Sequence, residues 1–432
     1  VIKFTGKLDK EKLKQACEIS IQEHEVVHAR YSIDGSKNFY IDFTIEDVYQ
    51  EIILDKSIDI ELYLQRLLSV PFNLTIDNLL GIFLLTVQPD VHYLVLKVHH
   101  VVLDGISLAM MLTEIAEKYN ALKSNKDIPI CTSKSLIDAV QAEQKELAGK
   151  NIEQAKTFWQ NTLKDIPLRV ELQKRYSVNQ EQKNKQIYFK FSDEELQGLR
   201  KLVKETRSTL FLVLSAIYGL VLSKYSNQNQ FAISYPVNMR PKSFANTMGC
   251  FVNNLPLVID LNNKEILLDL IKDNIQQIIS AEGMEWYSLT NIIFDQRKVR
   301  NEFQTDYFNV GFVETNIANS DTDLLNFEGI RTQAKNITLN DNGIYDLCLK
   351  YSVFPAVNMI FEYRLSVFDE DTANSFVNAI RKLVVNCKEY ARINLNKINL
   401  LSKEEYQKVI YDWNKTQRNY PQDKTIHGLF EE

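Results

Sequence analysis

No stretch of this 432-residue chain approaches the roughly 20 consecutive apolar residues that a membrane-spanning helix requires. Charge of one sign is also in short supply. A formal net charge of −6 supplies no basic field for a nucleic-acid groove. Cysteine is sparse: Cys17, Cys131, Cys250, Cys348 and Cys387 are odd in number, widely scattered and form no Cys-x-x-Cys pair. That pattern argues against a disulfide framework and against zinc or redox motifs, and it fits a reduced, cytosolic protein. A phosphate-binding glycine loop and an internal repeat are both missing. The opening residues, Val1-Ile2-Lys3-Phe4, lack a starting Met and carry no signal-peptide pattern, so they read as a chain entered part-way along a strand.

What the chain does contain is ordinary globular material, 45% hydrophobic and 25% charged. Its length exceeds what one hydrophobic core usually serves, so two core-bearing units are expected. Ile2 to Thr5 reads as a strand and Asp9 as the cap of a helix with Leu13, Cys17 and Ile21 on one face. Gly81 to Val87 and Val91 to Val98 read as a hairpin turning at Gln88-Pro89-Asp90. A polar helical pattern runs from Leu136 to Leu163, anchored by Trp159 and Leu163. Lys164 to Lys185 is charged and irregular, and the boundary between two lobes is placed there. The second half opens with a strand at Gln186 to Phe191, helices around Asp193 to Glu205 and through Leu222, and a buried strand from Phe231. Further strands are expected at Tyr307 to Phe312 and Tyr345 to Leu349, and a helix at Asp371 to Val385. The class is α/β (α+β).

The stretch around which the chain is organised is Lys97-Val98-His99-His100-Val101-Val102-Leu103-Asp104-Gly105-Ile106-Ser107. It links an apolar strand to a helix-period run through Leu108, Met111, Leu112, Ile115 and Tyr119. Loops on such rigid junctions commonly hold reactive side chains. If the strand continues, His99 and His100 point to opposite faces, so one ring faces a cleft and the other is buried or bonded to backbone. Gly105 permits a tight turn. That turn would fold Asp104 back beneath the strand end, to orient an imidazole or pair with an arginine. A neutral imidazole with a pKa near ~6.5 accepts a proton at physiological pH. A metal site from His99, His100 and Asp104 is disfavoured, because alternation splits the two rings and no further ligand cluster is evident.

His99-His100-Val101-Val102-Leu103-Asp104-Gly105 resembles the signature of condensation domains of nonribosomal peptide synthetases, within the chloramphenicol-acetyltransferase-like acyltransferases. Met248-Gly249-Cys250-Phe251-Val252-Asn253 resembles the family's Gly-x-Phe-Val-Asn motif beside the channel, which singles out Gly249 and Asn253. Asn238-Met239-Arg240 resembles its Asn-x-Arg loop. His24-Glu25-Val26-Val27-His28-Ala29-Arg30-Tyr31 resembles the family's early His-x-x-Leu-Arg-x-x-Phe pattern, with His28 in place of the arginine. Trp413-Asn414-Lys415-Thr416 through Tyr420-Pro421 to Phe430 resembles the linker to a following adenylation domain.

The resemblance implies two chloramphenicol-acetyltransferase-like lobes in a V with an active-site tunnel at their interface: residues 1–165, residues 166–400, and a linker over 401–432. It implies His100 as the ring facing the tunnel, aided by His99, Asp104 and Gly105. Arg240 would pair with Asp104 across the lobes, and Ser107 belongs to the same wall. The reaction implied is attack of an acceptor α-amine on a donor acyl thioester. Both would arrive on phosphopantetheine arms of carrier domains, with no cofactor bound by the domain itself. Two other readings of the motif stay open, an epimerization domain and a catalytically idle docking module. A heterocyclization domain would show an Asp-x-x-x-x-Asp pattern, which is absent here.

Overall fold

The computed structural model describes residues 1–172, 183–300, 307–315, 325–335, 337, 343–353, 357–417, 419 and 425–431. Residues 338–342, just before the expected Tyr345 to Leu349 strand, and the Tyr420-Pro421 part of the linker lie outside the described residues. The strands described are β1 (Ile2–Gly6), β2 (Ala29–Tyr31), β3 (Asn38–Tyr40), β4 (Tyr49–Ile53), β5 (Leu80–Gln88), β6 (Val91–Val98), β7 (Asn184–Lys190), β8 (Gln230–Asn238), β9 (Val252–Asp260), β10 (Val310–Glu314), β11 (Ile330–Ala334), β12 (Leu347–Ser352) and β13 (Asn358–Arg364). They form one sheet in the order β11-β1-β6-β5-β4 and a second in the order β7-β13-β12-β10-β8-β9, with β2-β3 a small ribbon apart.

Each sheet carries its own core. In the first, the Lys10–Gln22 helix begins where Asp9 accepts the Lys12 N–H at 3.2 Å. It packs with the Gly105–Lys123 helix over Phe4, Ile82, Leu84 and Leu94. The opposite face buries Leu64, Leu85, Tyr93 and Val95 beneath the Ile60–Ser69 helix. The second core is centred on the Leu210–Ser226 helix, capped by Thr209 and stopped by Asn227 in the left-handed region. That helix is apolar all round because it is buried all round, as expected for a core helix. No single helix among the described residues is long and apolar enough to cross a membrane.

Three segments depart from a simple division at 165/166. The helical stretch from Leu136 breaks into Leu136–Ala148 and Ile152–Thr162. The second of these already packs in the second core through Ala155 and Trp159. In the other direction, β11 pairs antiparallel with β1, Ile2 opposite Ala334 and Gly6 opposite Ile330. Its approach seats Phe327 against Phe4 and Tyr119, with ring centroids 4.8 and 5.4 Å apart. Finally, the 239–251 loop between β8 and β9 leaves the second sheet and puts Met248 into the first core.

Candidate active site

The strand β6 ends at Val98, and the turn that follows carries His99 and His100 into the Gly105–Lys123 helix. Strand alternation therefore does not reach the two histidines; the turn itself separates their rings. His99 N–H donates to the Leu79 carbonyl at 3.0 Å, and its Nδ1 accepts the Val101 N–H at 3.1 Å. An accepting Nδ1 leaves the ring proton on Nε2 of the neutral imidazole. Burial, helped by the adjacent His100, pulls the His99 pKa down, so this ring stays neutral and tied to backbone.

His100 is exposed, with Nδ1 3.9 Å from Cys250 Sγ. That contact raises its pKa, against the opposing effect of partial burial. The exposed ring therefore sits where a small change in surroundings decides whether it is an acceptor or a cation.

Beneath the turn lies a buried charge pair. Asp104 caps the helix by accepting the Ser107 N–H at 2.7 Å, and its two oxygens lie 2.9 and 2.8 Å from Arg240 Nη2. The Phe251 N–H adds a third donor at 3.0 Å. The side chains are 4% exposed for Arg240 and 1% for Asp104. Arg240 also donates to Ser107 Oγ at 2.8 Å and to the Thr247 carbonyl, and its guanidinium lies 4.3 Å from the Phe251 ring centroid. Burial pulls the Arg240 pKa down and Asp104 pulls it back up. A guanidinium, titrating above ~12 in water, stays charged through such a contest. Ser107 donates to the Gly249 carbonyl at 2.8 Å and accepts its N–H at 3.0 Å, while the Asp104 N–H reaches the same carbonyl at 3.2 Å. Gly249 is needed for closeness: a Cβ there would meet Leu136 Cδ1 and Phe251 Cε2 at 2.9 Å.

One expected role is corrected. Gly105 has no left-handed φ; it is the first residue of the helix, and a Cβ on it would point into open space. The turn is made instead by residues 100–102, closed by the Val102 N–H on the His99 carbonyl at 3.0 Å. Asn253 spends its amide on the chain itself. Its Nδ2 donates to the Glu285 and Tyr287 carbonyls at 2.7 and 3.1 Å, and its Oδ1 accepts the Leu289 N–H at 3.2 Å. It thus fixes the 285–289 segment. His28 is held between the Ile21 and Ile41 carbonyls at 3.3 and 3.2 Å and packs on Phe43. Sequence reasoning passed over Cys250, although it stands inside the quoted motif between Gly249 and Phe251.

One cluster with metal-ligand chemistry does occur elsewhere: ligand atoms of Glu23, His24 and Cys131 lie within 4.8 Å of one another. Two of its three members are already committed to protein partners. Lys118 Nζ stands 2.6 Å from Glu23, and Glu114 lies 2.8 Å from His24 Nε2, so an ammonium occupies the place of a cation.

Comparison with known proteins sharpens the picture. The family model for "Condensation domain" matches residues 1–410. Over 444 residues the chain is 26% identical to gramicidin S synthase 2 of Brevibacillus brevis, covering 100% of this chain and 10% of that protein. It is 22% identical to bacitracin synthase 3 of Bacillus licheniformis, covering 100% of this chain and 7% of that one. The chain thus spans a tenth or less of the length of these relatives. Among solved structures, the X-domain from teicoplanin biosynthesis superposes with a TM-score of 0.78 at 16% identity, over 93% of this chain and 92% of that one. The first condensation domain of the CDA synthetase gives 0.74 at 17% identity, over 93% of each chain. At such identities the likeness is one of fold, the chloramphenicol-acetyltransferase-like pair of lobes.

Proposed function

The chain belongs to the condensation-domain family of nonribosomal peptide synthetases, and on that premise we propose that it is an acyltransferase that forms peptide bonds. The α-amine of an acceptor aminoacyl thioester attacks the carbonyl of a donor acyl or peptidyl thioester, giving an amide and a free donor thiol. Both substrates arrive on phosphopantetheine arms of carrier domains, entering from opposite sides between the lobes. An adenylation domain follows through the linker after residue 400. One solved protein of the same fold, with a TM-score of 0.79, is a four-domain nonribosomal peptide synthetase bound to AMP and glycine.

The observation that carries this reading is the unequal treatment of the two histidines. His99 is tied to backbone, while His100 stands exposed on a turn braced from the other lobe. Thioester aminolysis runs downhill, so what the site must supply is alignment and a proton acceptor. Well-oriented partners reach effective molarities of roughly 10⁵–10⁸ M. His100 accepts the proton that the amine loses, a contribution of about 10²–10⁴-fold. The Asp104–Arg240 pair holds the turn and takes no part in proton transfer.

The test is to incubate the domain with two carrier proteins, each loaded with an aminoacyl pantetheine, and to weigh the products. A dipeptidyl thioester on the acceptor carrier is the expected result. An inverted stereocentre on one carrier would establish epimerization instead. The likeness to the X-domain, which has been solved in complex with OxyB, supports a second reading, a domain that binds a partner without chemistry. Binding of loaded carriers with no product would favour it.

A further inference from the structure

Cys250 is a nucleophile at this site that direct aminolysis leaves unused. Three of the five thiols are withdrawn from chemistry: Cys17, Cys348 and Cys387 are buried, and burial pushes them up to about 12, 12 and 11. Cys131 is half-buried, whereas Cys250 is exposed. Both neighbours of Cys250 are pinned. Gly249 is bonded at its N–H and carbonyl to Ser107, and Phe251 gives its N–H to Asp104 while its carbonyl accepts the Met239 N–H at 2.7 Å. The backbone is therefore fixed on each side, and the thiol is held out at 3.9 Å from His100 Nδ1. A nucleophile beside a base, on a rigid loop, is the arrangement that activates cysteine toward acyl groups.

Resting on the condensation reading, we propose that Cys250 is a second acyl acceptor, which takes the donor acyl group from a pantetheine thioester and holds it as an acyl-enzyme thioester. His100 Nδ1 takes the thiol proton, and the thiolate attacks the thioester carbonyl. The tetrahedral oxyanion collapses by breaking the bond to the pantetheine sulfur, and that leaving thiolate recovers the proton from the imidazolium. One thioester forms as one breaks, without redox change, so the transfer is nearly balanced and reversible. The two jobs of His100 use opposite tautomers. With the proton on Nδ1, aimed at Sγ, Nε2 is free to accept from an amine. With the proton on Nε2, Nδ1 accepts from the thiol.

The experiment uses the full 432-residue chain and hexanoyl-N-acetylcysteamine as donor, followed by intact mass measurement and peptide mapping. One hexanoyl group per chain, mapped to Cys250, is expected. It should be absent in Cys250→Ala, kept in Cys131→Ser, and formed at least tenfold more slowly in His100→Ala. No adduct, an adduct on Cys131, or an unchanged rate in His100→Ala would overturn the proposal. The two-carrier condensation assay runs in parallel. Dipeptide formation without self-acylation sinks this inference alone, and self-acylation without dipeptide sinks the condensation reading.

Discussion

Replacing Arg240 by Met, Asp104 by Asn, and both together separates the charge of the brace from its other work. Met keeps an apolar stem of similar length but gives up the guanidinium that lies over Phe251, and Asn retains a side-chain oxygen able to cap the helix at Ser107. Each single change thus leaves one ionised group buried without its partner, at 1% or 4% exposure. Breaking a buried pair from one side costs about 3–5 kcal/mol, whereas replacing both members is often close to neutral. Unfolding entropy of ~2.1 cal/mol/K per residue over 432 residues gives roughly 0.9 kcal/mol/K near the midpoint. Each single variant should therefore melt roughly 3–6 °C lower, by calorimetry or fluorescence. The double variant should recover much of the loss, so the coupling in the cycle should be at least as large as one single loss, about 3–5 kcal/mol. Additive losses, or single variants melting within about 1 °C of the parent, would show that the pair is not what fastens the 239–251 loop to the first lobe.

Removing the exposed ring by His100→Ala should slow dipeptide formation by about 10²–10⁴-fold at unchanged melting temperature, and a rate near the parent's would leave alignment as the whole of catalysis. The acceptor is the neutral ring, so the rate should rise with pH through a midpoint above the ordinary histidine value of 6.5, because the Cys250 contact raises the pKa of His100. Cys250→Ala removes that contact, so the midpoint should move to lower pH; a profile that stays put would remove Cys250 from the titration. Asn253→Ala strands three backbone groups of the 285–289 segment, and proteolysis or amide exchange should show that segment opening at a cost of about 1–3 kcal/mol. Gly105→Ala meets no neighbouring atom and has no special φ to satisfy. Its melting temperature should hold or rise, and a fall would contradict the placement of Gly105 as an ordinary first helical residue.

Local chemistry was legible wherever one residue decides the outcome. Asp9 as a cap, the Gln88-Pro89-Asp90 turn and the burial of Trp159 all follow from side chains acting on their own neighbourhood. The β11 segment was not legible: Ile330-Arg331-Thr332-Gln333-Ala334 is short and only weakly alternating, and it becomes a strand because the open edge of β1 is available to it. The histidine turn was misread by extending the strand period past Val98, where the chain had already left the sheet. Asn253 is marked in the sequence only by a motif expected beside the channel. Only the fold reveals that the 285–289 backbone had first claim on its amide. Cys250 carried no period and no pattern, and its standing depends wholly on an imidazole 150 positions away.

Since β11 completes the first sheet and Arg240 locks the first lobe's turn, each half of the sequence holds parts that the other half needs. A chimera that joins residues 1–165 of this chain to the remainder of a distant relative would inherit a foreign edge strand and a foreign guanidinium loop. Both would have to match in register and reach before the histidine turn could settle. Exchange within this block should therefore be penalised, and recombination should carry the pair of lobes as one inherited unit.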